Sequence, residues 1–297
     1  MTDSTNPTPA PTPSHSATPT VHVVTDSSCD LADGLDISIV PLTIRFGDEE
    51  FVDREELSTA EFWTRCVNSD TLPETAAPAP GQFERVYRSA ATNGATSVIV
   101  ISLSSALSAT MQSAQLAART VTNDPDIDLD VRVIDSRTLT MGLGTIVLAC
   151  ARAARAGADA DEVEALALDL VGRTRVFAAL DTLDNLKKGG RIGNAKALLA
   201  TALSIKPIID VTGGVVEQAG KQRTRSKALA HLVDKVRSHQ GNIENLAVLH
   251  ADCSDVDLFV EMLGYDADDI VIGEIGPVIG THGGRGTIGV AFQVTDV

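Results

Sequence analysis

The sequence predicts two α/β domains, the first a three-layer domain around a parallel sheet and the second built on a mixed sheet. Three observations support this fold class. The chain has 297 residues, enough for two ordinary domains. In its first half, apolar strand-like runs alternate with helical patterns, which is typical of a parallel sheet covered on both faces. In its second half, strand-like runs follow one another with fewer helices between them, which favours a mixed sheet.

The chain begins with a proline- and threonine-rich stretch over residues 1–20. This composition buries too little apolar surface to fold and lacks the basic start and apolar core of a signal peptide, so we expect a disordered tail. The first domain is predicted over residues 21–172. Its predicted strands cover residues 21–26, 97–103 and 131–135. Its predicted helices cover residues 58–68, 81–92, 109–121, 141–156 and 161–171.

Two of these helix starts carry a specific capping pattern. Ser58 is followed three residues later by Glu61, and Asp159 by Glu162. In a capping box with this spacing, each side chain bonds the backbone N–H of the other residue. The pattern therefore fixes where these two helices begin.

The second domain is predicted over residues 173–297, with the boundary near residues 171–175. Its predicted strands cover residues 177–181, 206–210, 215–219, 245–251, 269–276 and 287–294. Its predicted helices cover residues 183–190, 194–203 and 224–240. The pair Gly213 and Gly214 indicates a turn. The glycine-rich stretch before the last strand is predicted to be a loop.

The charge and composition exclude several classes of function. The net charge of −16 repels phosphate backbones and anionic lipid headgroups, which argues against a nucleic-acid partner. No apolar run approaches the roughly 20 residues of a membrane span, so we expect no stable membrane insertion. The four cysteines lie far apart, without the spacing of a metal site. We expect a cytoplasmic protein with reduced thiols and no bound metal.

A cluster of serines follows the strand predicted over residues 97–103. Ser104, Ser105 and Ser108 stand between this strand and the next helix. Ligands of open α/β sheets bind at this edge, and the free N–H groups of a helix start attract anions. Hydroxyls there can donate to a carboxylate or a phosphate. Ordinary helix capping by serine is the alternative, although capping requires only one hydroxyl.

Two further segments have both a structural and a functional interpretation. In residues 133–144, Asp135 and Ser136 end a strand, and Gly142 and Gly144 open a helix. Close helix-to-sheet packing explains these glycines.

Residues 183–193 contain the densest cationic cluster of the chain. Its members are Lys187, Lys188 and Arg191. A solvated helix end explains them, and a contact with an anion or a partner is the alternative.

The segment 272–292 contains seven glycines within 17 residues, together with one histidine, His282. Gly284, Gly286 and Gly289 match the dinucleotide-binding fingerprint in spacing alone, because a strand follows and the chain ends eight residues later. We therefore interpret the segment as a loop whose backbone passes close to another group. An imidazole in such a loop can donate to an acid group or act as an acid or base.

The motifs leave two classes of function open. The GxSxG elbow, the phosphate-binding GxxxxGK[ST] loop and the HExxH zinc motif are absent from the sequence. The remaining features favour a binding protein for an anion-headed ligand, held by hydroxyls and His282. The alternative is a stand-alone hydrolase or phosphotransferase for an acyl or phosphate substrate, with Ser105 or Ser108 as nucleophile and His282 as base.

Several sequence blocks, in order from Val21 to the C-terminus, resemble the DegV family. The blocks are VTDSSCDL, the TxxPxPGxF element at residues 75–83, SLSSALSATMQSA, IDSRTLTMGLG, LKKGGRIG with IKPII behind it, RTRSKAL and IGPVIGTHGGRGTIGVAF. The resemblance implies two α/β domains with a long-chain fatty acid enclosed in a tunnel between them and no other cofactor. It also implies a lipid-binding protein that is no enzyme by itself. Where a fatty acid kinase exists, such proteins present the acyl carboxylate to a separate kinase subunit and retain the acyl phosphate.

Position by position, the resemblance implies that Thr75, Ser108 and His282 bind the fatty-acid carboxylate. It adds four residues as further head-group or partner contacts. These are Ser105, Thr281, Arg191 and Arg223. The chain departs from the family pattern at some neighbours of these residues. Ala76 and Ala77 replace the usual Ser-Gln, Ala109 replaces a glycine, and Gly283 and Arg285 replace Thr and Pro.

Overall fold

The computed structural model describes residues 20–69, 71–200, 205–239 and 241–295. The predicted tail lies outside these residues except for Thr20. The strands are β1 (Val21–Asp26), β2 (Ser38–Val40), β3 (Thr43–Phe46), β4 (Glu49–Val52), β5 (Glu74–Ala76), β6 (Ser97–Ser102), β7 (Asp130–Asp135), β8 (Thr174–Ala179), β9 (Lys206–Asp210), β10 (Glu217–Gln222), β11 (Ile243–His250), β12 (Val271–Glu274) and β13 (Ile288–Val294). The α-helices are α1 (Thr59–Asn68), α2 (Pro80–Thr92), α3 (Thr110–Thr122), α4 (Thr140–Arg155), α5 (Ala160–Arg173), α6 (Asp184–Lys188), α7 (Arg225–Arg237), α8 (Val256–Leu263) and α9 (Pro277–Gly283).

The first sheet has the strand order β2-β1-β6-β7, and all its neighbours are parallel. Successive side chains of a strand point to opposite faces of the sheet, and both faces of this sheet carry apolar side chains. Val98 and Val100 face a core with α2 and α3, whereas Ile99 and Ile101 face a core with α4 and α5. The predicted three-layer domain around a parallel sheet is therefore confirmed.

The second sheet has the order β10-β9-β8-β13-β11-β12. Its neighbours are antiparallel except for β11 and β12, which confirms the predicted mixed sheet. On β8, Phe177 and Ala179 face a core with α7 and α8, whereas Val176 and Ala178 face the core shared with α4. Helix α4 contacts strands of both sheets, so the two halves share one continuous core. The domain limits at residues 172 and 173 stay a prediction.

The structure contains a small antiparallel sheet, β4-β3-β5, that the sequence did not predict. Its strands are three or four residues long and partly exposed, so they lack a distinct apolar pattern. Helix α8 was also missed. The helix predicted over residues 194–203 is a 3₁₀ segment at Gly193–Ala200, and residues 201–204 lie outside the described ranges.

The predicted loop around His282 is wrong, because the segment forms helix α9. Pro277 occupies the first turn of this helix, where its fixed φ is favourable. A Cβ atom on Gly280 would lie 2.8 Å from ring atoms of Phe62 and Trp63. The glycines therefore permit close packing of a helix, and they do not by themselves indicate a loop. Within the described ranges, no helix has the length and apolar character that crossing a bilayer requires.

Candidate ligand-binding site

A cavity lies where the segments that follow β6 and β7 meet one face of the second sheet. The space between its lining atoms, the open mouth included, is about 990 Å³. Most of its lining is aliphatic. The wall from the first half of the chain consists of Leu42, Ala77, Leu103, Leu107, Ala109 and Leu139. The wall from the second half consists of Val176, Ala178, Leu180, Leu186, Ile209, Val211, Val216, Leu249, Ile275, Val278 and Ile279.

Four of the predicted site residues line this cavity together. They are Thr75 on β5, Ser108 before α3, Arg191 after α6 and His282 on α9. The Oγ1 atom of Thr75 lies 3.0 Å from Nε2 of His282. Thr75, Arg191 and His282 also line a depression on the outer surface. The polar cluster therefore separates an apolar interior from solvent.

The imidazole of His282 is uncharged at neutral pH. Burial lowers its pKa to about 4, and the positive charge of Arg191 acts in the same direction. Its Nδ1 atom is buried and has no hydrogen-bond partner among the described residues. A Cβ atom on Gly189 would lie 2.5 Å from Nδ1, so only a glycine fits beside this ring. His282 can thus exchange hydrogen bonds with a ligand, but it supplies little positive charge.

Ser108 lies at the start of α3, a helix of 13 residues. Its Oγ atom is 2.9 Å from Oγ1 of Thr110 and accepts a hydrogen bond from the backbone N–H of Thr110. The N-cap residue Ala109 makes no side-chain cap. A negative charge beside Ser108 would therefore be stabilised by the hydroxyl and by the N-terminal end of the helix.

Arg191 is the cation of the cavity mouth. Its guanidinium donates to the backbone carbonyls of Leu107 and Gly189, at 3.3 Å and 2.6 Å. In the part of the chain that the structure describes, Arg191 forms no ion pair. Its charge is therefore free to attract an anionic group of a ligand.

The other three predicted contacts lie elsewhere. Ser105 donates to the carboxylate of Asp135. The hydroxyl of Thr281 donates to the carbonyl of Pro277 within α9, although Thr281 borders the outer depression. Arg223 is exposed and does not line the cavity. Ser105 and Arg223 therefore border neither the cavity nor the outer depression, whereas Thr281 borders the outer depression.

The remaining motif residues have structural roles. Ser104 is buried, and its hydroxyl donates to the carbonyl of Gly214 at 2.5 Å. A Cβ atom on Gly142 would lie 2.5 Å from Val176, and one on Gly144 would lie 2.8 Å from the carbonyl oxygen of Cys29. These distances agree with close packing as the reason for both glycines.

Of the two lysines in the cationic cluster, Lys188 borders the outer depression, whereas Lys187 does not.

The parts of a serine–histidine enzyme are not assembled. In the described ranges, no hydrogen bond joins Ser108 to His282, and no acidic side chain bonds the imidazole. A nucleophile requires a base within hydrogen-bond reach and a third group that orients the base. No group of three metal-ligating side chains occurs in these ranges either. The cluster is thus better suited to binding an anion than to activating a nucleophile.

Sequence reasoning missed the aliphatic walls and two lining hydroxyl residues, Thr140 and Thr287. A partial signal was present in β8, where Val176 and Ala178 alternate with Phe177 and Ala179. This alternation indicates two faces with different neighbours. It does not tell which face lines a cavity.

A family model described as "Uncharacterised protein, DegV family" matches residues 20–295. The chain belongs to the DegV family. A DegV domain-containing protein of Streptomyces coelicolor is 35% identical over 283 residues, which cover 92% of this chain and 98% of the relative. The resemblance seen in the sequence blocks is therefore confirmed.

Two solved structures of related proteins share this fold. A DegV family protein from Thermus thermophilus, described by its fatty acid binding, has a TM-score of 0.84 and 31% identity, over 93% of this DegV chain and 99% of its own. A stearic-acid-binding protein from Eubacterium ventriosum has a TM-score of 0.83 and 25% identity, over 92% and 98% of the two chains. Structural neighbours of this DegV protein thus bind fatty acids.

Proposed function

We propose that this DegV protein binds a long-chain fatty acid, with the acyl chain inside the cavity and the carboxylate at the polar cluster. The observation that carries the proposal is the distribution of polarity in the cavity. Its walls are mostly aliphatic, whereas the hydroxyl of Thr75, the guanidinium of Arg191 and the imidazole of His282 border both the cavity and the outer depression. A ligand with a long apolar body and one anionic end matches this distribution. The fatty-acid-binding neighbours support the same conclusion.

The acyl chain would supply most of the affinity. Burial of each methylene contributes roughly 0.8 kcal/mol, so a chain of about sixteen carbons offers at most roughly 13 kcal/mol before association costs. The polar cluster would mainly fix the orientation of the ligand and replace the water around its carboxylate. Strong charge neutralisation is therefore unnecessary for tight binding.

The hydrogen bond between Thr75 and His282 suits this task. If Nε2 carries the proton, the imidazole donates to Oγ1 of Thr75, and the Thr75 hydroxyl is then free to donate to the carboxylate. Ser108, the start of α3 and Arg191 supply the remaining attraction from the other side of the mouth. The neutral state of His282 agrees with this arrangement, because the ring acts as a hydrogen-bond partner.

Calorimetry on delipidated protein tests the proposal. Palmitic acid should bind with a Kd in or below the micromolar range, and its methyl ester should bind at least about tenfold more weakly, because the ester lacks the anionic oxygens. Butyric acid should not bind measurably, because it has too few methylenes to bury. Equal affinities for acid and ester, or for long and short acids, would contradict the proposed placement of the ligand.

We further propose that the protein is a carrier and that a separate kinase subunit phosphorylates the bound carboxylate, leaving the acyl phosphate in the cavity. The outer depression supports this step, because it shares Thr75, Arg191 and His282 with the cavity and adds Lys188. A head group at the polar cluster can therefore be reached from outside, beside two cationic side chains. These cations would also attract the new phosphate.

Replacing His282 by Ala should separate binding from phosphorylation. Fatty-acid affinity should stay within a few-fold of wild type, because the alkyl chain supplies most of the binding energy. Phosphorylation by the partner kinase, followed with labelled ATP, should fall at least about tenfold, because the imidazole orients the head group. The purified protein alone should hydrolyse neither acyl esters nor acyl phosphates. Steady turnover by the wild type that disappears in the variant would favour the serine–histidine enzyme instead.

A further inference from the structure

The segment Asp26–Asp30, which begins at the last residue of β1, is buried but does not line the cavity. We call it the β1 turn. It belongs to the first sequence block, VTDSSCDL, to which the proposed binding site assigns no role. Its polar side chains nevertheless bond residues that form the cavity walls.

Two of these side chains hold walls from the first half of the chain. The carboxylate of Asp26 accepts a hydrogen bond from the backbone N–H of Leu103 at 2.9 Å. The Oγ atom of Ser27 accepts one from the backbone N–H of Leu42 at 3.1 Å. Leu42 and Leu103 both line the cavity. Each contact fixes the backbone of a wall residue without exposing a polar atom to the cavity.

Asp30 bonds the start of the helix that carries His282. Its Oδ1 atom accepts a hydrogen bond from the backbone N–H of Gly276, the N-cap of α9, at 3.0 Å. A Cβ atom on Gly276 would lie 3.0 Å from this same oxygen. His282 is six residues further along, and a rise of about 1.5 Å per residue places it roughly 9 Å from the bond. The position of this bond therefore determines where the His282 imidazole lies along the axis of α9.

The rest of α9 has little room to compensate for a shift at its start. Gly280 packs against Phe62 and Trp63, and His282 packs against Gly189. The Asn185 side chain donates to the carbonyl of Thr281 at 3.0 Å. Closely packed elements move as units and do not deform continuously. A displaced Gly276 would thus displace or expose the imidazole.

Burial raises the pKa of Asp30 to about 7, and the nearby hydroxyl of Thr140, the first residue of α4 and a lining residue of the cavity, acts in the opposite direction. Both residues have a positive φ, 52° and 45°. This conformation is unfavourable for a β-branched threonine. The Oδ2 atom of Asp30 and Oγ1 of Thr140 are buried, and neither has a hydrogen-bond partner among the described residues. The same carboxylate thus faces both α9 and the cavity wall.

We propose that Asp30 is a positioning residue for the polar cluster. Asp30 holds α9 in place against the cavity, and α9 carries His282. The importance of this position rests on the proposed function, because His282 matters to a ligand only if the cluster binds one. The placement of the imidazole can be measured without any ligand.

An NMR titration of the His282 ring in delipidated protein tests this role. The wild-type ring should stay neutral to below about pH 5, in line with its lowered pKa. Asp30→Gly removes the carboxylate but accepts the positive φ without strain. In this variant the pKa of His282 should rise toward its ordinary value of about 6.5, because the ring loses its burial. Asp30→Asn keeps an acceptor and tolerates the same backbone, so it should titrate like the wild type.

Two further variants make the test decisive. Asp33→Asn removes a charge three residues away on an exposed side chain and should leave the His282 titration unchanged. Gly276→Ala places a methyl group against Oδ1 of Asp30 and should raise the His282 pKa from the other side of the bond, even if Asp30→Gly fails to fold. An unchanged titration in folded Asp30→Gly or Gly276→Ala would overturn the proposal. So would Asp30→Asn behaving like Asp30→Gly.

Discussion

Replacing Ala178 by Phe should abolish the binding of long-chain fatty acids while the protein stays folded. Ala178 is buried on β8, and its side chain faces the cavity. A phenyl ring there would occupy space needed for about four or five methylenes. At roughly 0.8 kcal/mol each, their exclusion costs about 3–4 kcal/mol, or a 100- to 1000-fold loss of affinity. Thermal stability should be retained, because the ring enters an existing cavity.

Ala230→Phe is the matched control, because it adds the same ring on the exposed face of α7. It should leave fatty-acid affinity unchanged. Calorimetry and thermal denaturation of both variants distinguish a blocked cavity from a damaged fold. If Ala178→Phe folded and bound palmitic acid with full affinity, the acyl chain would have to lie outside this cavity.

Removing the hydroxyls of Thr75 and Ser108 together should weaken fatty-acid binding by at least about 100-fold. Thr75→Val and Ser108→Ala each delete one donor to a buried carboxylate, at a cost of about 1–3 kcal/mol. The double variant should lose more than the sum of the two. Each hydroxyl partly compensates for the loss of the other, and removing both leaves the anion without a hydroxyl donor.

Ser105→Ala provides the control for this pair. Ser105 lies on the same loop as Ser108, but its hydroxyl donates to the carboxylate of Asp135. Its affinity should equal that of the wild type by calorimetry. Full affinity in the double variant would place the carboxylate elsewhere. A loss in Ser105→Ala as large as that in Ser108→Ala would show that the loop conformation, and not the hydroxyl of Ser108, determines binding.

The strands of the two large sheets, except the three-residue strand β2, could be predicted because burial dictates their residues. The run Ser97–Ser102 is buried throughout, so its continuous apolar pattern is a direct record of a strand covered on both faces. The small sheet that carries Thr75 has no continuous apolar pattern, because its strands are short and partly exposed. Helix α9 was missed because glycine has a low helix propensity, which the packing of Gly280 overrides.

The candidate site could be predicted only in part. Residue chemistry singled out Ser108 and His282, but their grouping with Thr75 came from the family resemblance. The bond between Thr75 and His282 joins residues 207 positions apart, and no local pattern encodes such a contact. Ser104, Ser105 and Ser108 are chemically equal in the sequence. Only the fold turns one toward the cavity and the others toward Gly214 and Asp135.

The role of Arg191 could not be predicted from the charge pattern of the sequence either. Its cluster with Lys187 and Lys188 is equally well explained by a solvated helix end. The structure separates the three, because only Arg191 lines the cavity, beside His282. The charge of Arg191 also helps to keep His282 neutral. The electrostatic character of the site therefore depends on a tertiary contact between α9 and the segment after α6.

The central claim is that this protein carries a buried fatty acid, and native mass spectrometry of freshly purified protein tests it most directly. The account predicts a folded species heavier than the bare chain by the mass of one long-chain fatty acid. The excess mass should disappear under denaturing conditions and be absent from Ala178→Phe. A native spectrum with only the bare chain, from protein that fails to take up added palmitic acid, would contradict the account.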